Sequence, residues 1–126
     1  MYENIQRGTY ICSKGDFYFR SKWEANYALY LDFLIQQHEI KDWEFESERF
    51  MFEQIKLGIR SYTPDFKVIN HDGSIEFHEI KGYMDARSKT KLKRMKKYYP
   101  DVKLLLIERK QYTEILSKLK GVIKFY

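Results

Sequence analysis

The chain has 126 residues, 44% hydrophobic and 33% charged, which suits one globular domain and excludes a disordered polymer. No apolar run approaches the roughly 18 residues that span a bilayer, and the single cysteine, Cys12, excludes an internal disulfide and a thiolate zinc site. The net charge of +5 is unevenly placed: residues 81–110 hold eleven Lys/Arg against three acids, a net of +8, so the rest carries −3, and a polyanion, nucleic acid first, is the expected partner.

One domain, 1–126, is expected, with residues 1–18 as an N-terminal extension that offers a dimer contact by position alone. Met1 to Arg7 lacks the basic region and apolar stretch of a secretory signal, so a cytoplasmic location is expected. Tyr10 to Cys12 reads as a short strand and Gly15-Asp16 as a turn. Ser21-Lys-Trp-Glu24 matches a capping box, and a helix should run from there to about Gln37. Trp23, Tyr27, Tyr30, Leu31 and Leu34 recur at helical spacing, with Glu24 at the helix start beside the apolar side.

Trp43 to Glu48 alternates apolar and acidic residues, as a half-buried strand does, and solvent exposure accounts for Glu44, Glu46 and Glu48. Phe50 to Ile55 reads as a second short strand, and Gly58 as a break. Ser61 to Asn70 reads as one strand entered through Thr63-Pro64, Asn70 to Gly73 as a turn, and Ser74 to Lys81 as the returning strand. Ala86 to Tyr99 is a basic helix stopped by Pro100, Val102 to Ile107 a buried strand, Tyr112 to Lys120 a helix and Val122 to Tyr126 a last strand. That order predicts an α/β (α+β) domain around one mixed central sheet.

The chemistry concentrates on the hairpin at Asp72-Gly73. Alternation along the second strand puts Glu79 and Lys81 on one face and Ile80 on the other. A two-residue turn would set Asp65 opposite Ile80. A three-residue loop, His71 to Gly73 with Gly73 left-handed, sets it opposite Glu79, with Cβ atoms about 4.5–5.5 Å apart. Two carboxylates so close repel unless a positive charge lies between them, and a hard divalent cation suits oxygen donors. Lys81 stands where it could orient a water or neutralise phosphate charge. A surface salt bridge between Lys81 and one acid is the plainer reading of the same three residues.

Thr63-Pro64-Asp65-Phe66, twelve residues, then Glu79-Ile80-Lys81-Gly82 resembles the PD-(D/E)xK nuclease motif. Phe19-Arg20-Ser21, two residues, then Glu24 is similar to the N-terminal motif of phage endonuclease I type Holliday junction resolvases. The resemblance runs from about residue 17 to 107, and the predicted αβββαβ order agrees with the restriction-endonuclease-like core of that superfamily. It implies that Asp65 and Glu79 bind metal, with the Ile80 carbonyl assisting, that Glu24 reaches in from its helix, and that Lys81 helps activate water. Mg²⁺ would be the cofactor, with Mn²⁺ substituting, and branched or four-way DNA the substrate. Symmetric cutting of two strands implies a homodimer. A phage-encoded enzyme would work in the host cytoplasm. Glu24 fits a capping-box acid equally well.

Lys89, Lys93, Lys96 and Lys97 fall roughly on one stripe of the basic helix, while Leu92, Met95 and Tyr99 form the buried one, and the four lysines with Arg20 are the expected DNA contacts. A solvated helix face is their alternative. His38, His71 and His78 do not cluster, which argues against a zinc or histidine-based nuclease site. Tyr83 is a candidate for stacking on a base. The competing functions are a nicking or repair endonuclease on the same fold and a non-catalytic DNA-binding module.

Overall fold

The computed structural model describes residues 8–126, so Met1 to Arg7 of the expected extension lie outside the described residues. The remainder of that extension is a hairpin, β1 (Gly8–Cys12) and β2 (Gly15–Phe19), paired antiparallel. Its turn falls at Ser13-Lys14, ahead of the expected Gly15-Asp16, because Asp32 takes both the Ser13 N–H (2.9 Å) and the Ser13 hydroxyl. The inward side chains of the hairpin, Phe17 and Phe19, pack edge-on and tilted against Phe45 and Trp43.

Helix α1 (Lys22–Gln36) starts as the capping pattern predicts: the Ser21 side chain accepts from the Glu24 N–H at 3.2 Å. The box does not close on itself, since the Glu24 carboxylate accepts from the Arg20 N–H rather than from Ser21. Strand β3 (Asp42–Phe45) ends at Glu46, whose left-handed backbone (φ 48°) takes it out of the strand alternation.

The expected strand from Ser61 to Asn70 is two strands in two sheets. β4 (Phe50–Met51) pairs with β5 (Ser61–Tyr62) as a small separate hairpin, and β6 (Phe66–Ile69) joins the main sheet. The break falls at Thr63-Pro64-Asp65, where proline has no N–H to give to a ladder. Strand β7 (Ile75–Lys81) follows, then α2 (Ala86–Tyr98), β8 (Leu104–Glu108) and α3 (Arg109–Leu119). The main sheet runs β3-β6-β7-β8, antiparallel except for the β7–β8 pair, so the domain is α+β with a mixed central sheet. With the β4–β5 hairpin set aside, the order from α1 to β8 is αβββαβ. Val122 to Tyr126 is not a strand; one isolated bridge, Lys120 with Ile123, stands there. Tyr126 instead bonds to Ile11 through its hydroxyl and to Asn26 through its N–H.

Two apolar cores form, one on each face of the sheet. The larger, under α1 and α3, includes Phe19, Trp23, Leu31, Trp43, Phe66, Val68 and Ile80. The smaller, under α2 and the β4–β5 hairpin, is Phe52, Ile59, Tyr62 and Met95.

Candidate active site

The hairpin register decides where the acids meet. Asn70 and Ser74 close a three-residue loop, Gly73 is left-handed (φ 86°), and the ladder pairs Phe66 with His78. Asp65 is therefore directly opposite Glu79, and the two hold each other's strands. The Asp65 N–H donates to Glu79 Oε1 at 3.0 Å, and the Ile80 N–H donates to Asp65 Oδ2 at 2.8 Å. The second bond occurs because the ladder stops at Pro64, so the Asp65 carboxylate accepts the next N–H. The Ile80 carbonyl points to that same side of an extended strand.

Glu24 reaches the same place from the first turn of α1, with Oε1 accepting from the Arg20 N–H at 2.8 Å. Three buried carboxylates thus each have one oxygen fixed by a backbone N–H and a second oxygen without a backbone partner. Lys81 Nζ stands 3.9 Å from Glu79 Oε2. Glu24, Asp65, Glu79, Ile80 and Lys81 all line one cavity of about 620 Å³. The sequence-predicted catalytic residues are brought together without exception.

Their electrostatics are strained. Burial first, then the Glu79 and Glu24 charges, push the Asp65 carboxyl well above the ordinary range. Burial likewise raises Glu24 and Glu79, against the lowering effect of their backbone N–H partners. Three such groups, buried side by side, resist ionising together without a counter-charge. The free oxygens are hard donors, so the set fits a hard divalent cation rather than a soft one. Among the described residues no three His, Cys, Asp or Glu side chains already stand at metal-holding spacing. The carboxyls of Glu24 and Asp65 lie close enough to share a hydrogen bond instead.

Glu46, Lys91 and Tyr62 are among the cavity residues that the sequence reading did not single out. Glu46 lines the cavity and its carboxylate pairs with the Arg20 guanidinium, so it is a site residue and not a solvated strand acid. Arg20 is thereby held by a protein carboxylate, and that bond chiefly raises its pKa. Lys91 lines the cavity from α2, whereas Lys89, Lys93, Lys96 and Lys97 are exposed and do not line it. Tyr62, 4% exposed, lines the cavity with a buried hydroxyl that has no hydrogen-bond partner. The Glu79 carboxylate lies beside that hydroxyl, within reach as an acceptor but outside full hydrogen-bond geometry, and its charge acts on it. Tyr83 is exposed and is not among the cavity residues.

The sequence profile of a family described as "Protein of unknown function (DUF1064)" matches residues 9–114. The chain belongs to that family. The DUF1064 match takes in β1 through the middle of α3, and with them every residue of the carboxylate cluster. No curated protein matches the chain.

On the opposite face of β7 from Glu79, His78 is buried between Tyr27, whose hydroxyl is 2.6 Å from Nδ1, and Glu76, 2.8 Å from Nε2. Burial lowers the His78 pKa, so the ring is neutral at physiological pH. Its two nitrogens are both engaged, as in a satisfied core histidine, and it is not one of the residues lining the carboxylate cavity.

Proposed function

We propose that the chain is a metal-dependent DNA endonuclease that hydrolyses phosphodiester bonds, acting as a homodimer on branched DNA of the Holliday junction kind. The observation that carries this reading is the convergence of Glu24, Asp65, Glu79 and Lys81 on one cavity from α1, the entry to β6 and the end of β7. Asp65 and Glu79 would hold Mg²⁺, or Mn²⁺ in its place, with Glu24 and the Ile80 carbonyl adding oxygens. When bound, such a cation supplies counter-charge to the phosphate and a more acidic attacking water.

The chain's own residues do the remaining work. Backbone N–H bonds fix the three carboxylates before any ligand arrives, so little ordering entropy is lost on binding. Lys81 carries three N–H donors and no acceptor, which suits it to orient a water or a phosphate oxygen beside Glu79. Lys91 adds positive charge to the cavity wall, and the exposed lysines of α2 extend it outside for the rest of the DNA backbone.

Support for a branched substrate comes from the Phe19-Arg20-Ser21 to Glu24 pattern, whose glutamate does face the cavity. No helix of the described residues is long and apolar enough to cross a membrane. The test is cleavage of a synthetic four-way junction beside a linear duplex of the same sequence, with Mg²⁺ and with Mn²⁺. Junction cutting that Glu79→Gln abolishes, with DNA binding retained, is the expected result. Equal cutting of duplex and junction would leave a nicking or repair endonuclease. Tight binding with no cutting under either metal would leave a non-catalytic DNA-binding module.

A further inference from the structure

The Tyr62 hydroxyl is the one buried side-chain N or O atom among the described residues without a hydrogen-bond partner. Buried hydroxyls are nearly always paired, and an unpaired one destabilises the fold that contains it. Packing does not require it here. The ring sits in the smaller core with Phe52, Ile59 and Met95, and its backbone is paired with Phe50; a phenylalanine would meet both needs. What distinguishes the position is the other end of the ring. The residue lines the carboxylate cavity, three positions before Asp65 across the Pro64 break, with Glu79 and Asp65 as the charges acting on its hydroxyl.

Glu79 is held on one side only. Its Oε1 is fixed by the Asp65 N–H, while Lys81 Nζ stands 3.9 Å from Oε2, beyond a hydrogen bond, and the Tyr62 hydroxyl lies beside the carboxylate. We propose that Tyr62 is a positioning residue: its hydroxyl donates to the Glu79 carboxylate when a divalent cation is bound, fixing the orientation in which Glu79 presents its oxygen. The inference rests on the metal-dependent reading above. Outer partners that orient a ligating carboxylate in this way typically change metal affinity by about 10- to 100-fold.

The variant is Tyr62→Phe, which keeps the ring and removes the oxygen. Mn²⁺ binding is measured by calorimetry on the intact protein, with melting in EDTA as a second readout. The expected result is Mn²⁺ affinity about tenfold weaker or more, together with a metal-free melting temperature equal to or above wild type. That combination separates positioning from a structural role, which would lower the melting temperature. Wild-type Mn²⁺ affinity in the variant overturns the inference alone. A lower metal-free melting temperature also overturns it, because the hydroxyl would then already have a partner in the fold. If the wild type itself takes up no Mn²⁺, the metal-dependent reading fails and this inference fails with it.

Discussion

Replacing Asp65 with asparagine should remove activity and stabilise the metal-free protein. Asp65 is 5% exposed and stands opposite Glu79, with Glu24 adjoining. Two full charges at the ~5 Å of directly opposed side chains repel by about 3 kcal/mol at an effective dielectric of ~20. Partial protonation in the metal-free protein already relieves some of this. Asparagine keeps an acceptor for the Ile80 N–H but exchanges a charged bond for a neutral one, at a cost of about 1 kcal/mol. The balance favours the variant by about 1–2 kcal/mol, or roughly 3–6 °C in melting temperature for a domain of this size.

The sign of the pH dependence follows from the same crowding. The folded-state pKa of Asp65 is raised, so below its unfolded value of about 3.9 the acid is protonated in both states and costs nothing. As pH rises above that value the unfolded chain ionises the group freely while burial and its neighbours keep it protonated in the fold, and stability falls until the folded pKa is passed. Melts in EDTA from about pH 4 to about pH 8 should therefore show the variant's advantage opening and widening with pH. Saturating Mg²⁺ should raise the wild type and leave the variant nearly unmoved. A variant that melts below wild type at neutral pH without metal would show that the Ile80 bond outweighs the crowding, and the electrostatic reasoning would be wrong.

Glu46→Gln should release the Arg20 guanidinium, whose side chain is 56% exposed, and tighten DNA binding about 2- to 5-fold, the equivalent of one exposed ion pair; unchanged anisotropy titrations would contradict this. Removing Lys89, Lys93, Lys96 and Lys97 together should flatten the slope of log affinity against log salt by about 3 to 4 if all four meet phosphates. An unaltered slope would return that stripe to plain solvent. Tyr27→Phe leaves the buried His78 Nδ1 without its donor and should cost about 1–3 kcal/mol of stability, while the cleavage rate per folded molecule stays the same; a lost cleavage rate would link the two faces of β7.

The acidic site was legible because strand geometry is short-range. Alternation set Glu79 and Lys81 on one face, and the three-residue loop with Gly73 left-handed set Asp65 against Glu79. The split of residues 61–70 was not legible, because apolar alternation continues through Tyr62 and Phe66 while Pro64 sends them to different sheets. Tyr62 itself is one aromatic among 22, with nothing in the sequence to set it apart, and its ring is core. Glu46 was misplaced because its left-handed φ cannot be read from Phe-Glu-Ser-Glu. Lys91 lies on a different side of the helix from the exposed stripe expected to contact DNA; it is half-buried and lines the cavity. The last strand failed for a topological reason. β8 runs straight into α3, the tail leaves through Gly121 (φ 87°), and Tyr126 meets β1 through its side-chain hydroxyl on Ile11 rather than through a backbone ladder.

The cavity sits on the seam between two unequal cores, and its walls belong to different ones. Glu24 is anchored by the larger core through α1, whereas Tyr62 and Lys91 ride on the smaller one with the β4–β5 hairpin and α2. Regions with fewer buried apolar contacts open at lower free energy than the whole domain unfolds. Loosening of the four-residue core would carry Tyr62, Lys91 and the basic helix away from the acids while the rest of the sheet stays closed. For the proposed nuclease, activity would then be a more sensitive thermometer of this fold than its global melting: on gentle heating, cutting would fade before the main sheet comes apart.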